Sequence, residues 1–190
     1  MKTITSMLTA LMLLLLMATP GLAGGGDTGD DTVTKTFELT LSGDIPEDEL
    51  FLGFVATREQ VESGMEEGTD AGTLILFCGD VPDELLDEIE QDPTIEFVVV
   101  SSEACEGGEG TEYTAEVEFE RGAEIAFVIV RLNLETGDFE LIASTELDEE
   151  GFPAEFETIE EDTTNLASCN FENGSCGTGQ AGDDQQMPGM

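Results

Sequence analysis

Apolar residues recur along this chain with a period of two. Val33, Phe37, Leu39 and Leu41 fall on one side of an extended segment while Thr36, Glu38 and Thr40 fall on the other, as on a β-strand with one wet face. Residues 50–57 form a second candidate strand and 73–78 a third, the latter with almost no polar interruption; 95–100 reads as a buried strand. Tyr113, Ala115, Val117 and Phe119 alternate with Thr114, Glu116 and Glu118, and Glu120, Arg121 and Gly122 then make a turn. Residues 125–132 are apolar on both faces, which predicts a central strand. Thr136, Gly137 and Asp138 form the next turn into 139–145, and a weaker eighth strand covers 154–159.

One stretch departs from this period. Pro82 suits a first helical turn, Asp83 and Glu84 suit its dipole, and Leu85, Leu86 and Ile89 have helical spacing up to Gln91, before Pro93. A connection across one end of a sandwich accounts for it. Residues 61–67 carry a second, weaker helical signal that Gly64 and Gly68 interrupt. Short strands at this spacing, joined by polar turns, predict an all-β fold: an antiparallel Greek-key β-sandwich of seven or eight strands with one short helix between strands.

The first residues do not belong to that domain. Lys2 supplies a positive start, an apolar run covers 7–18, and Pro20, Gly21, Leu22 and Ala23 present the small residues that a signal peptidase reads. The run is shorter than the 18 to 20 apolar residues, roughly, that a membrane span requires. Residues 1–23 are therefore expected to be a signal peptide, and the protein to be secreted, extracellular or periplasmic, with no membrane association once the leader is cleaved. Residues 24–32 read as a flexible acidic, Gly-rich arm, 33–162 as the sandwich, and 163–190 as a flexible Gly/Asn/Gln-rich tail, since both ends hold few large apolar groups to offset their ordering entropy. The middle segment, roughly 130 residues, is enough for one hydrophobic core.

Export agrees with the four cysteines, an even number in a chain bound for an oxidising space. Three pairings are possible. Cys78 with Cys105 is preferred because each lies at the edge of a strand, and Cys169 with Cys176 because they are near neighbours. Zinc is disfavoured by the absence of C-x2-C and histidine spacings, and a nucleophilic cysteine by the absence of any histidine to activate it.

Charge narrows the partners. The 44 Asp and Glu and five Lys and Arg give a net charge of −39, one unit more negative once Lys2 leaves with the leader. A polyanion repels nucleic acid phosphate and anionic lipid over about a Debye length, so neither is expected as a partner. Scarce lysine and abundant acid also suit concentrated salt, where ions screen the self-repulsion.

Catalytic signals are absent. There is no G-x-S-x-G, P-loop or histidine-based triad, and with 44 carboxylates some close pair is inevitable and therefore uninformative. The chain reads as a non-enzyme. Calcium is the one cofactor the residues suggest: Asp27, Asp30 and Asp31 could supply three oxygen ligands, and Asp148, Glu149 and Glu150 make another cluster, although neither follows the EF-hand pattern. The alternative is solvated charge on an arm and a turn. Asn173, Gly174 and Ser175 form a glycosylation sequon.

The strand Tyr113 to Phe119, its turn at Gly122 and the following Ala-Glu-Ile-Ala-Phe-Val-Ile-Val-Arg ending at Arg131 resemble the paired central strands of starch-binding and related immunoglobulin-like carbohydrate-binding modules. Thr36 to Leu41, followed by Gly43, Asp44, Ile45, Pro46 and Glu47, resembles their opening strand and turn. The resemblance implies a Greek-key sandwich and glycan binding. Such modules stack sugars on exposed rings, whereas this chain has no tryptophan and one tyrosine, Tyr113, whose parity puts it in the core with Phe37, Phe119 and Phe127; Phe152 and Phe171 fall in loops. The fold carries over and the sugar site does not. Two function classes follow: a non-catalytic extracellular interaction module for cations or for basic or neutral polymers, and a glycan-binding module that uses carboxylates in place of rings.

Overall fold

A computed structural model describes residues 31–63, 71–81, 86, 89, 94–149 and 151–179. Among the described residues there are ten strands: β1 (Thr32–Gly43), β2 (Glu49–Thr57), β3 (Gly72–Cys78), β4 (Ile95–Val99), β5 (Gly108–Glu120), β6 (Ala123–Asn133), β7 (Phe139–Ser144), β8 (Glu157–Ile159), β9 (Thr163–Asn170) and β10 (Ser175–Gly179), with a helix α1 (Arg58–Ser63) after β2. They form a four-stranded sheet of order β10-β9-β1-β5 and a six-stranded sheet of order β4-β3-β2-β6-β7, with β8 pairing on β6. The two sheets pack face to face as an all-β sandwich.

The period of two explains the first sheet. Along β1, Val33, Lys35, Phe37, Leu39 and Leu41 are buried, and along β5 so are Tyr113, Ala115, Val117 and Phe119. These meet Phe51, Val55, Ile75, Phe77, Ile125, Phe127 and Ile129 of the second sheet in one core. The second sheet is apolar on both faces, which is why β2 and β3 lack a polar alternation. Its outer face holds a smaller cluster, Leu50, Leu52, Leu76, Val81 and Val130, against which Leu86, Phe97, Leu132 and Leu134 pack. At roughly 25 cal/mol per Å² of apolar surface removed from water, such burial is the main stabilising term.

Four expectations need correction. First, the sheets are mixed: β1 pairs β9 in parallel and β3 pairs β4 in parallel. Alternation fixes which face is buried but not the direction of a neighbour, and a parallel pair needs a long crossover, which the residues between β3 and β4 provide. Second, the tail expected from residue 163 begins with two strands. The parallel ladder to β1 and the buried Ala167 and Cys169 order β9, and β10 is held to it by the Cys169–Cys176 bond. Third, β4 is an edge strand rather than a buried one, with Val99 46% exposed. Fourth, the helix following β2 starts earlier than the weak signal at 61–67. Thr57 caps it reciprocally: Gln60 N donates to Thr57 Oγ1 at 3.2 Å and Thr57 N to Gln60 Oε1 at 2.7 Å. The preferred helix at 82–91 lies mostly outside the described residues, although Leu86 and Ile89 are helical.

Both expected disulfides form. Cys78–Cys105 bridges a Cα separation of 5.0 Å and Cys169–Cys176 one of 4.1 Å. Bonds of this kind are typical of extracellular proteins.

Candidate interaction surface

The outward residues of β1 and β5 form a flat polar face. Across the antiparallel ladder Thr32 lies opposite Glu120, Thr34 opposite Glu118, Thr36 opposite Glu116, Glu38 opposite Thr114 and Thr40 opposite Glu112. No two carboxylates face each other directly, which avoids the destabilisation of like charges in register. Along β5 the carboxylates of Glu116, Glu118 and Glu120 repeat every second residue, about 7 Å apart by strand geometry. On the other side of β1, Thr164, Leu166 and Ser168 of β9 continue the face.

One diagonal pair brings two acids together. Partial burial, then the charge of Glu112 and a hydrogen bond shared with it, push the Glu38 carboxyl above its ordinary value.

All four cations among the described residues are engaged by acids. Lys35 Nζ lies 2.7 Å from Glu157 Oε1, with the lysine side chain fully buried. Arg58 donates to Glu124 through Nε at 2.8 Å and Nη2 at 2.9 Å, and its guanidinium lies 4.2 Å from the centre of the Phe156 ring. Arg121 Nε donates to Asp31 at 2.8 Å, and its Nη1 to the Glu160 carbonyl. Arg131 holds the buried Glu49 with two bonds, 2.8 and 2.7 Å, reaches Glu140 at 3.4 Å, and stacks 4.6 Å above Phe171. The hydrogen bonds to Glu49, the largest influence, raise the Arg131 pKa further above its usual value. The described surface therefore carries no uncompensated positive charge.

The residues expected to hold calcium are only partly in view. Asp27 and Asp30 lie outside the described residues, while Asp31 spends its carboxylate on Arg121. Asp148 Oδ1 accepts the Phe152 amide at 2.9 Å, which places it in turn geometry, and Glu150 lies outside the described residues. Among the described residues no group of three or more His, Cys, Asp or Glu could hold a metal ion.

Of the rings, Phe37, Phe119, Phe127 and Tyr113 are core residues as expected. The Tyr113 hydroxyl accepts the Glu106 amide at 2.8 Å. Phe171 is occupied by Arg131 and Phe51, and Phe152 is half-buried. Exposed apolar side chains occur instead on the edge strand β7, at Phe139 (57%) and Leu141 (47%). Sequence parity missed these because β7 is covered on one side only. Asn173 of the sequon is exposed in the turn between β9 and β10.

Comparison with protein-family models, with curated proteins and with solved structures finds no match.

Proposed function

We propose that this chain is a secreted, non-catalytic interaction module whose acidic sheet face meets cations or basic or neutral extracellular polymers. One observation carries the reading: all four described cations are neutralised by carboxylates, while the outward positions Thr32 to Thr40 of β1 and Glu112 to Glu120 of β5 present acids and threonines with no cation. Complementary charge on such a face supplies steering and specificity. Two disulfides and the leader-like start support an extracellular setting.

The test is binding to an immobilised polycation, poly-lysine, across a salt series. Replacing Glu116, Glu118 and Glu120 by glutamine should weaken binding and flatten its salt dependence more than replacing Glu135, Glu149 and Glu172, which are exposed elsewhere. Equal effects of the two triple variants would remove the face from the account. A second reading, glycan binding, draws on Phe139, exposed beside Glu140 on β7. Discrete, salt-insensitive hits on a glycan array that vanish in Phe139→Ala would favour it.

A further inference from the structure

Lys35 is the only lysine after the leader, and the fold buries it completely on the inward face of β1. Lysine is almost never fully buried unless paired, and a lysine recruited for surface charge would sit on the alternate parity, among Thr34, Thr36 and Glu38. The parallel ladder sets Lys35 beside Thr163 and Phe37 beside Asn165. Paired residues of a ladder share a face, and Leu39 with Ala167 and Leu41 with Cys169 show that this face is the core. Lys35 and Asn165 are therefore diagonal neighbours on adjacent strands, their Cα atoms about 8 Å apart by strand geometry, within reach of a four-carbon stem ending in an amine.

Two further groups complete the arrangement. Glu157 Oε1 lies 2.7 Å from Lys35 Nζ, as a proton acceptor for it. The hydroxyl of Thr163, opposite Lys35 in the ladder and two residues before Asn165, is buried with no hydrogen-bond partner among the described residues. A buried orphan hydroxyl calls for an explanation. A carbonyl formed between Lys35 and Asn165 would supply its missing acceptor.

The geometry points to an intramolecular amide between Lys35 and Asn165, formed spontaneously after folding. Glu157 takes a proton from the Lys35 ammonium, and the freed lone pair attacks Cγ of Asn165. The new C–N bond forms, negative charge gathers on the carboxamide oxygen where the Thr163 hydroxyl can donate, and the C–N bond to the original amide nitrogen breaks. Two protons pass in turn from Nζ through the Glu157 carboxylate to the leaving nitrogen, which departs as ammonium. Nothing is oxidised or reduced, and no co-reactant is needed. Fixed proximity, with the Lys35 amine fully buried and Glu157 and Asn165 partly so, supplies the acceleration that the same groups lack in water. The product ties the first strand to the ninth.

Intact mass spectrometry of the exported, disulfide-bonded protein is the test and requires no variant. The expected mass is that of the oxidised chain less one ammonia, with fragmentation giving a branched peptide that contains Lys35 and Asn165. Glu157→Gln and Asn165→Ala should restore the full mass, and Asn165→Asp should lose one water instead. Three results would overturn the assignment: the full mass in the native protein, an ammonia loss confined to a cyclic imide at Asn165 with a free Lys35 amine, or a water loss linking Lys35 to Glu157.

Discussion

At the scale of single residues, the informative positions are those that break the apolar-in, polar-out rule. Glu49 is 1% exposed and its carboxylate is held by two bonds from Arg131 and one from Asn133 Nδ2 at 3.3 Å. Removing Arg131 strands the buried Glu49 carboxylate, so Arg131→Ala should lower stability by about 3–5 kcal/mol in urea unfolding at fixed salt. A loss below about 1 kcal/mol would reduce the pair to the standing of a surface contact. Glu38 works in the opposite sense. Its folded-state pKa is raised, so the stability it contributes is present at low pH, where the carboxyl is protonated in both states, and is lost as pH rises through the folded value. Glu38→Gln should therefore melt higher than the parent at neutral pH, and the gain should disappear below the ordinary glutamate range, about pH 4. Parallel melting curves for the two proteins across that interval would dismiss the raised Glu38 pKa. Neither Glu49 nor Lys35 was legible beforehand. Glu49 begins a strand whose inward set starts at Phe51, and Lys35 has the parity of Val33 and Phe37 but a charge that conceals it; only a strict count of alternate positions would have flagged the lysine.

At the scale of elements, strand existence was readable and strand partnership was not. Residues 113–119 and 125–132 stand inside β5 and β6, and the tight turn between them has Gly122 at a φ of +84°, a conformation that L side chains rarely adopt. The strands β9 and β10 escaped because Thr, Asn, Ser and Gly signal a loop when taken alone; their order comes from β1 and a disulfide, both distant in the chain or invisible to composition. Gly79 marks another constraint of this kind. Its φ is +131° and an added Cβ would approach Leu50 Cδ1 to 2.5 Å, so Gly79→Ala should lower the melting temperature and disturb the adjoining Cys78–Cys105 closure. On a chain-entropy account, replacing Cys78 and Cys105 by alanine should cost roughly 3 to 4 kcal/mol, against about 2 to 3 for Cys169 and Cys176. Urea unfolding of the two double variants checks the ranking, and a larger loss from the shorter loop would contradict it.

At the scale of the whole molecule, a net charge of −39 acts on stability as self-repulsion that salt relieves. The melting temperature should rise between dilute buffer and molar sodium chloride, and a flat response would show that the carboxylates are far enough apart to ignore one another. The all-β class was legible in the sequence because alternation acts locally, whereas the cysteine pairing was a preference among three, drawn from strand edges and nearness in the chain. The location of the acidic face required the register, which sets each outward Glu of β5 against a threonine or, at Thr114, reverses the order. The pairing of every described cation carries one more consequence. Proteases of tryptic specificity must draw a lysine or arginine side chain into a deep acidic pocket and straighten the backbone around it. The described residues offer them Lys35 and Arg131 inside strands, Arg58 at the head of a capped helix and Arg121 clamped in a hairpin, so this folded part of the chain should persist through a digestion that destroys its reduced, unfolded form.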